Sequence, residues 1–131
     1  MHQLKLHKSE KLCSRTAINA LFAKGDSVIA YPLRAVFRIA GDSERAKAAQ
    51  FMISIPKKKI HTAVGRVLMR RRVRESYRLN RELLYTTLET QGKNVDIAFT
   101  YLSKSETDYS VIESKMKEIL VKISASIESK P

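Results

Sequence analysis

The chain has 131 residues, with 25 Lys and Arg against 13 Asp and Glu, for a formal net charge of +12. That length holds one domain, taken as 1–131, and a hydrophobic content of 44% excludes a wholly disordered chain. A surplus this large points to a polyanionic partner, either nucleic acid or an anionic membrane surface, while apolar runs of only a few residues exclude a bilayer-spanning helix.

The first residues, MHQLKLHKSEKLCSR, contain no apolar stretch of the secretory kind. The single cysteine, Cys13, excludes an internal disulfide and reads as a reduced, partly buried structural thiol, so a cytoplasmic location is expected. His2, His7 and His61 have no metal-ligand spacing, and the glycines are scattered singly, without a phosphate-binding loop. No catalytic residue and no metal ligand is assigned.

In chain order, residues 14–25 read as a short helix, with Ser14 as cap, Gly25 as a left-handed exit, and Ile18, Leu21 and Phe22 on its apolar face. Residues 32–39 alternate, with Leu33, Ala35, Phe37 and Ile39 opposite Arg34, Val36 and Arg38. A turn is expected at 41–43. Residues 49–55 alternate again, with Phe51, Ile53 and Ile55 opposite Gln50, Met52 and Ser54. The spacing predicts two antiparallel strands whose polar faces present Arg34, Arg38, Gln50 and Ser54, with Pro56 ending the second.

Residues 62–88 read as one long helix. Met69, Val73, Tyr77, Leu84 and Leu88 fall within about 100° of one another and are expected in the core. Arg71, Arg74, Arg78 and Arg81, with Arg70 at the border, are expected to form a solvent-facing ladder. Residues 95–102 read as a central strand and the final helix buries Ile112, Met116, Ile119, Leu120, Ile123 and Ile127, opened by a capping box of Ser110 and Glu113. About 1–8 and 125–131 are expected to be flexible, with fraying from 124.

The charge is concentrated. Residues 56–82 carry ten basic and two acidic groups, net +8, whereas 83–131 carry six and seven, net −1. Here a strand ends in Lys57-Lys58-Lys59 and an arginine-laden helix follows, as phosphate binding requires. A membrane surface fits less well because the helix needs its apolar stripe for the core. A major-groove DNA reader would need Asn or Gln along that helix, which offers little beyond Arg.

The same run resembles the bacterial ribonuclease P protein subunit family. That family shows a strand ending Ser-Val-x-Lys-Lys, then Ala-Val-x-Arg-Asn-Arg-x-Lys-Arg-x-x-Arg-Glu-x-x-Arg. Ser54-Ile55-Pro56-Lys57-Lys58 matches the first part; Ala63-Val64, Arg66, Arg70-Arg71, Arg74-Glu75 and Arg78 match the second. Residues 12–25, 32–37, 96–99 and 116–120 are similar to the family's first helix, first strand, last strand and last helix, so nearly the whole chain is covered. One departure stands out: the Arg-Asn-Arg core reads Arg66-Val67-Leu68, with Val67 and Leu68 on the arginine side, placed for apolar contact with a partner. Arg72, an extra cation where the family often has an apolar residue, is expected to compensate.

The resemblance implies an α+β fold: a single-domain α/β sandwich resembling ribosomal protein S5 domain 2, in the order α-β-β-α-β-α, with a left-handed crossover at the arginine helix. It implies a protein subunit that partners a catalytic RNA and assists removal of the 5′ leader of precursor tRNA, as a monomer in a 1:1 complex. Hydrolysis would use magnesium held mainly by the RNA. Arg66, Arg70, Arg71, Arg74 and Arg78, with Lys57 and Lys58, would dock on the catalytic RNA. Phe22, Arg34, Arg38, Ser54 and Lys57 would line the leader cleft, Phe22 either stacking on a base or packing in the core. The rival reading is a non-catalytic RNA-binding module, such as a ribosome-associated protein or RNA chaperone.

Overall fold

The computed structural model describes Leu6 and residues 8–41 and 48–129. A 3-10 turn at Lys8–Glu10 leads into α1 (Arg15–Lys24), β1 (Asp26–Ala30), β2 (Leu33–Gly41), β3 (Ala49–Ser54), α2 (Ala63–Asn80), α3 (Glu82–Gln91), β4 (Asn94–Tyr101) and α4 (Tyr109–Ser129). The four strands form one mixed sheet in the order β1-β2-β4-β3. β1 and β2 make an antiparallel hairpin, β2 and β4 are antiparallel, and β3 lies parallel to β4 at the edge.

Two apolar layers hold the sheet. On one face Leu33, Ala35, Phe37, Phe51, Val95, Ile97 and Phe99 meet the buried stripes of α2, α3 and α4. Every residue expected in those stripes is buried: Met69, Val73, Tyr77, Leu84 and Leu88, and Ile112, Met116, Ile119, Leu120, Ile123 and Ile127. Tyr77 stacks at 4.4 Å from Phe51 and 5.6 Å from Phe99, ring centre to ring centre, so it belongs to the core. On the other face α1 seats Leu21 over Val36 and Ala98, with Leu12, Ile18 and Met52 completing a smaller cluster.

The structure corrects several expectations. β2 and β3 are not paired; β4 lies between them. Alternation tells which side chains share a face, not which strand lies alongside, and β4, largely buried on both faces although one of them carries Asp96 and Thr100, takes the inner position. Periodicity does not announce β1: its apolar run is only Val28-Ile29-Ala30, and Asp26, Ser27 and Ile29 are exposed. The single long helix is two, broken at Arg81. Gly25 is extended (φ −77°, ψ 156°) rather than left-handed. A Cβ there would stand 2.4 Å from the Leu21 carbonyl and 2.8 Å from Val36 Cγ1, so the glycine permits α1 to lie close on β2. The left-handed exit is Gly92, at φ 64°.

Cys13 is exposed, not partly buried. Glu113 takes no part in a capping box with Ser110 but accepts from Asn80 Nδ2 at 3.1 Å and Tyr109 Oη at 3.3 Å. α4 continues as helix to Ser129, past the expected fraying. The turn expected at 41–43 lies largely outside the described residues, as do most of 1–8 and residues 130–131.

Candidate nucleic-acid interface

The strand-to-helix passage is built by local bonds. Lys59 and Ile60 amides both donate to the Pro56 carbonyl, at 2.9 and 3.1 Å, folding the lysine run into a turn anchored by buried Ile60. Lys57 and Lys58 are exposed on it. Thr62 caps α2, its Oγ1 accepting from the Gly65 amide at 3.1 Å. Gly65 is needed there because a Cβ would meet Ile60 Cγ2 and Thr62 Oγ1, each at 2.7 Å.

The arginines of α2 fall into distinct groups. Arg70, Arg71 and Arg74 are exposed and make no hydrogen bond or salt bridge among the described residues, although the Arg74 charge helps to lower the Glu75 carboxyl. Arg78 binds Glu75 through two nitrogens, at 2.6 and 2.8 Å. That bond, helped by the charges of Arg78 and Arg74, holds the Glu75 carboxyl below the usual carboxylate range against the opposing effect of burial. Arg66 Nη1 donates to the carbonyls of Ile60 and His61 at 3.0 and 2.8 Å. Neutral carbonyls orient this guanidinium without cancelling its charge. Arg72 is pinned by its Nη1 to the Thr107 carbonyl at 2.7 Å, beside α4.

Arg81 leaves the expected ladder altogether. It is 6% exposed, at the α2–α3 break, with Nε 3.4 Å from the fully buried carboxylate of Glu10. Tyr85 Oη donates to the same carboxylate at 2.5 Å. Burial first, and the neighbouring Tyr77 and Glu10, push the Tyr85 hydroxyl well above its ordinary range. The cluster ties the N-terminal segment to the helix break. Nothing in the sequence announces it, since Glu10 and Tyr85 stand 75 residues apart.

The sheet face toward α1 carries the other expected residues. The ladders align Ile29, Arg34, Thr100 and Ser54 in one row, Ser27, Val36, Ala98 and Met52 in the next, and Arg38, Asp96 and Gln50 in a third. Val36, Ala98 and Met52 of the middle row lie under α1. Arg34 and Ser54 thus share an open row, with Arg34 exposed and its Nε donating to Ser27 Oγ at 3.1 Å. Arg38 is separated from them by the covered row and sits opposite buried Asp96. Phe22 is 54% exposed, which removes it from the core. Half-buried Thr100 and exposed Ile29 and Tyr31 join this surface unannounced; the first lies in a strand expected to be central, the others in or beside the unexpected β1.

Two grooves link these surfaces. One of about 650 Å³ runs along α2, lined by Arg71, Arg74, Glu75 and Arg78 with Leu6 and Tyr109. Another of about 250 Å³ lies at the β3 edge, where Arg70 and Arg74 face Lys11, Cys13, Met52 and Ile53. Arg74 lines both, so the helix face and the sheet edge adjoin. Among the described residues no three His, Cys, Asp or Glu side chains gather as metal ligands, and no helix is long and apolar enough to cross a membrane.

Fold and charge together define a class: a small α+β domain that gathers its cations on one helix face beside an open sheet surface. The family model for ribonuclease P matches residues 6–124. The chain therefore belongs to the ribonuclease P protein family. Among its relatives, the ribonuclease P protein component of Porphyromonas gingivalis is 37% identical over 124 residues, covering 95% of this chain and 90% of that protein. That of Chlorobium phaeobacteroides is 27% identical, covering 96% and 92%. The fold is shared with the RNase P protein of Thermotoga maritima (TM-score 0.67, 22% identity, 86% of this chain and 96% of that one). It is shared also with that of Staphylococcus aureus (TM-score 0.66, 19% identity, 88% and 95%).

Proposed function

We propose that this chain is the protein subunit of a ribonuclease P holoenzyme, binding the catalytic RNA through α2 and the 5′ leader of precursor tRNA through the sheet face. The observation that carries the reading is the trio Arg70, Arg71 and Arg74, exposed and held by no hydrogen bond or salt bridge, on one helix of a chain in this family. Lys57, Lys58 and Arg66 extend that cationic surface toward the strand end, and Arg78 extends it with its charge paired to Glu75. Arg34 and Ser54, on one open row, serve the single-stranded leader, with Phe22 as a stacking surface and Lys57 at the junction. Arg38, opposite Asp96, contributes less.

The chemistry is phosphodiester hydrolysis giving the mature tRNA 5′ end. Magnesium acts through the RNA, and no proton transfer is assigned to a side chain of this chain, which positions and neutralises phosphate. The protein acts as one copy per RNA, in the cytoplasm. The test is reconstitution with the catalytic RNA from the same genome and a 5′-extended tRNA at limiting magnesium. Stimulated leader removal is expected. RNA binding without stimulation would instead identify a non-catalytic RNA-binding module, and cleavage by the isolated protein would overturn the division of labour.

A further inference from the structure

The exposed face of α2 is apolar at its head and cationic further on. Val64 and Val67 are 81% and 51% exposed, Leu68 is half-buried, and none of the three belongs to either core cluster. With Ala63 and Arg71 they line a groove of about 390 Å³. Val64, Val67, Leu68 and Arg71 stand at i, i+3, i+4 and i+7, so they form one continuous surface.

The charge around this patch selects its occupant. Arg66, Arg70 and Arg71 share the helix, Lys57 and Lys58 lie on the turn before it, and residues 56–82 carry a net +8. A second copy of the chain would set two such cationic faces against each other. A single-stranded nucleotide suits both halves of the surface: its base offers an apolar face and its phosphate a negative charge. RNA presents such unstacked bases in loops and bulges. We propose that Val64, Val67 and Leu68 seat one unstacked base of the RNA partner, with Arg71 taking the adjoining phosphate. This rests on the reading of the chain as an RNA-binding subunit. It gives the apolar head of α2 a role distinct from that of the arginines, one that does not depend on counterion release.

The test is fluorescence anisotropy of the full chain with labelled catalytic RNA of ribonuclease P from the same genome, across a salt series. Val64→Ser with Val67→Ser weakens binding about tenfold, the order expected for removing valine side chains from an apolar contact, and leaves the slope of log affinity against log salt unchanged. Arg71→Gln makes the slope shallower by about 0.7–0.9. Val111→Ser with Val121→Ser, exposed apolar positions on α4, binds as the parent does. Benzoylphenylalanine at position 67 crosslinks to an unpaired nucleotide. Parental affinity of the Val64/Val67 variant, an equal loss in the α4 control, or a crosslink confined to duplex overturns the seat. So does a parent dimer that the Val64/Val67 variant dissociates, or an acidic protein that displaces the RNA from this face. A parent that fails to bind the RNA refutes the subunit reading itself, a separate result.

Discussion

Replacing Arg81 by Met removes a guanidinium from the helix break and leaves the Glu10 carboxylate fully buried beside an apolar side chain. Both partners are shielded: the Arg81 side chain is 7% exposed and that of Glu10 0%, at 3.4 Å. Stripping one member from a buried ion pair costs about 3–5 kcal/mol, because the other charge stays desolvated and loses that partner. For a chain of this size that lowers the melting temperature by roughly 10–20 °C. The hydrogen bond from Tyr85 remains but cannot neutralise the carboxylate. Adding Glu10→Leu to Arg81→Met removes the remaining buried carboxylate and recovers much of the loss. Arg78→Ala is the comparison. It breaks an ion pair of shorter distance, but the Arg78 and Glu75 side chains are 29% and 46% exposed, so its melting temperature stays close to the parent's. Thermal unfolding followed by circular dichroism measures all four proteins. If Arg81→Met melts within about 2 °C of the parent, the buried pair does not hold the helix break and the argument fails.

RNA affinity should fall steeply with salt. Six cations on the α2 surface, Lys57, Lys58, Arg66, Arg70, Arg71 and Arg74, give a log–log slope of about −4 to −5. Arg70→Ala with Arg74→Ala makes it shallower by about 1.5–2. Lys115→Ala with Lys117→Ala, on a helix where Lys115 already faces Glu118 at 3.7 Å, leaves it unchanged; equal effects would refute the surface. In an absorbance titration Tyr77 and Tyr85, whose ionisation burial raises above the usual 10.0, stay protonated in the folded chain. Their protonated forms are favoured by folding, so stability is intact below pH 10 and declines as pH rises beyond it. Reversible ionisation of all five tyrosines near pH 10 without loss of helix contradicts the core placement. Gly25→Ala sets a methyl against the Leu21 carbonyl and Val36, costing about 1–3 kcal/mol in the melt; an unchanged melt shows that α1 does not need that close approach.

Much of the fold and of the candidate site was legible in residue order. The stripe from Met69 to Leu88 and the one from Ile112 to Ile127 are period-3.6 patterns, and all of their members are buried. The arginine helix after the lysine turn was legible as a charge block and as a family motif, and the family assignment holds over residues 6–124. Placing Val67 and Leu68 on the arginine side needed only their helical angles, and both lie outside the core clusters.

Tertiary structure decided what those local patterns meet. Periodicity records which face of an element is apolar, and it is silent on which element covers that face. Hence β4, not β3, lies beside β2, and β1, with little apolar pattern of its own, is found by pairing with β2. Arg81 and Arg78 share a residue type and a helix face at ideal spacing, yet one meets buried Glu10 at the helix break and the other an exposed Glu75 one turn back. Phe22 looked equally suited to core and surface until α1 docked through Leu21 and left the ring in solvent. The net charge of +12 and its concentration in 56–82 belong to the sequence alone. Which of those cations remain available, chiefly Arg70, Arg71 and Arg74, depends on carbonyls and carboxylates that only the folded chain brings within reach.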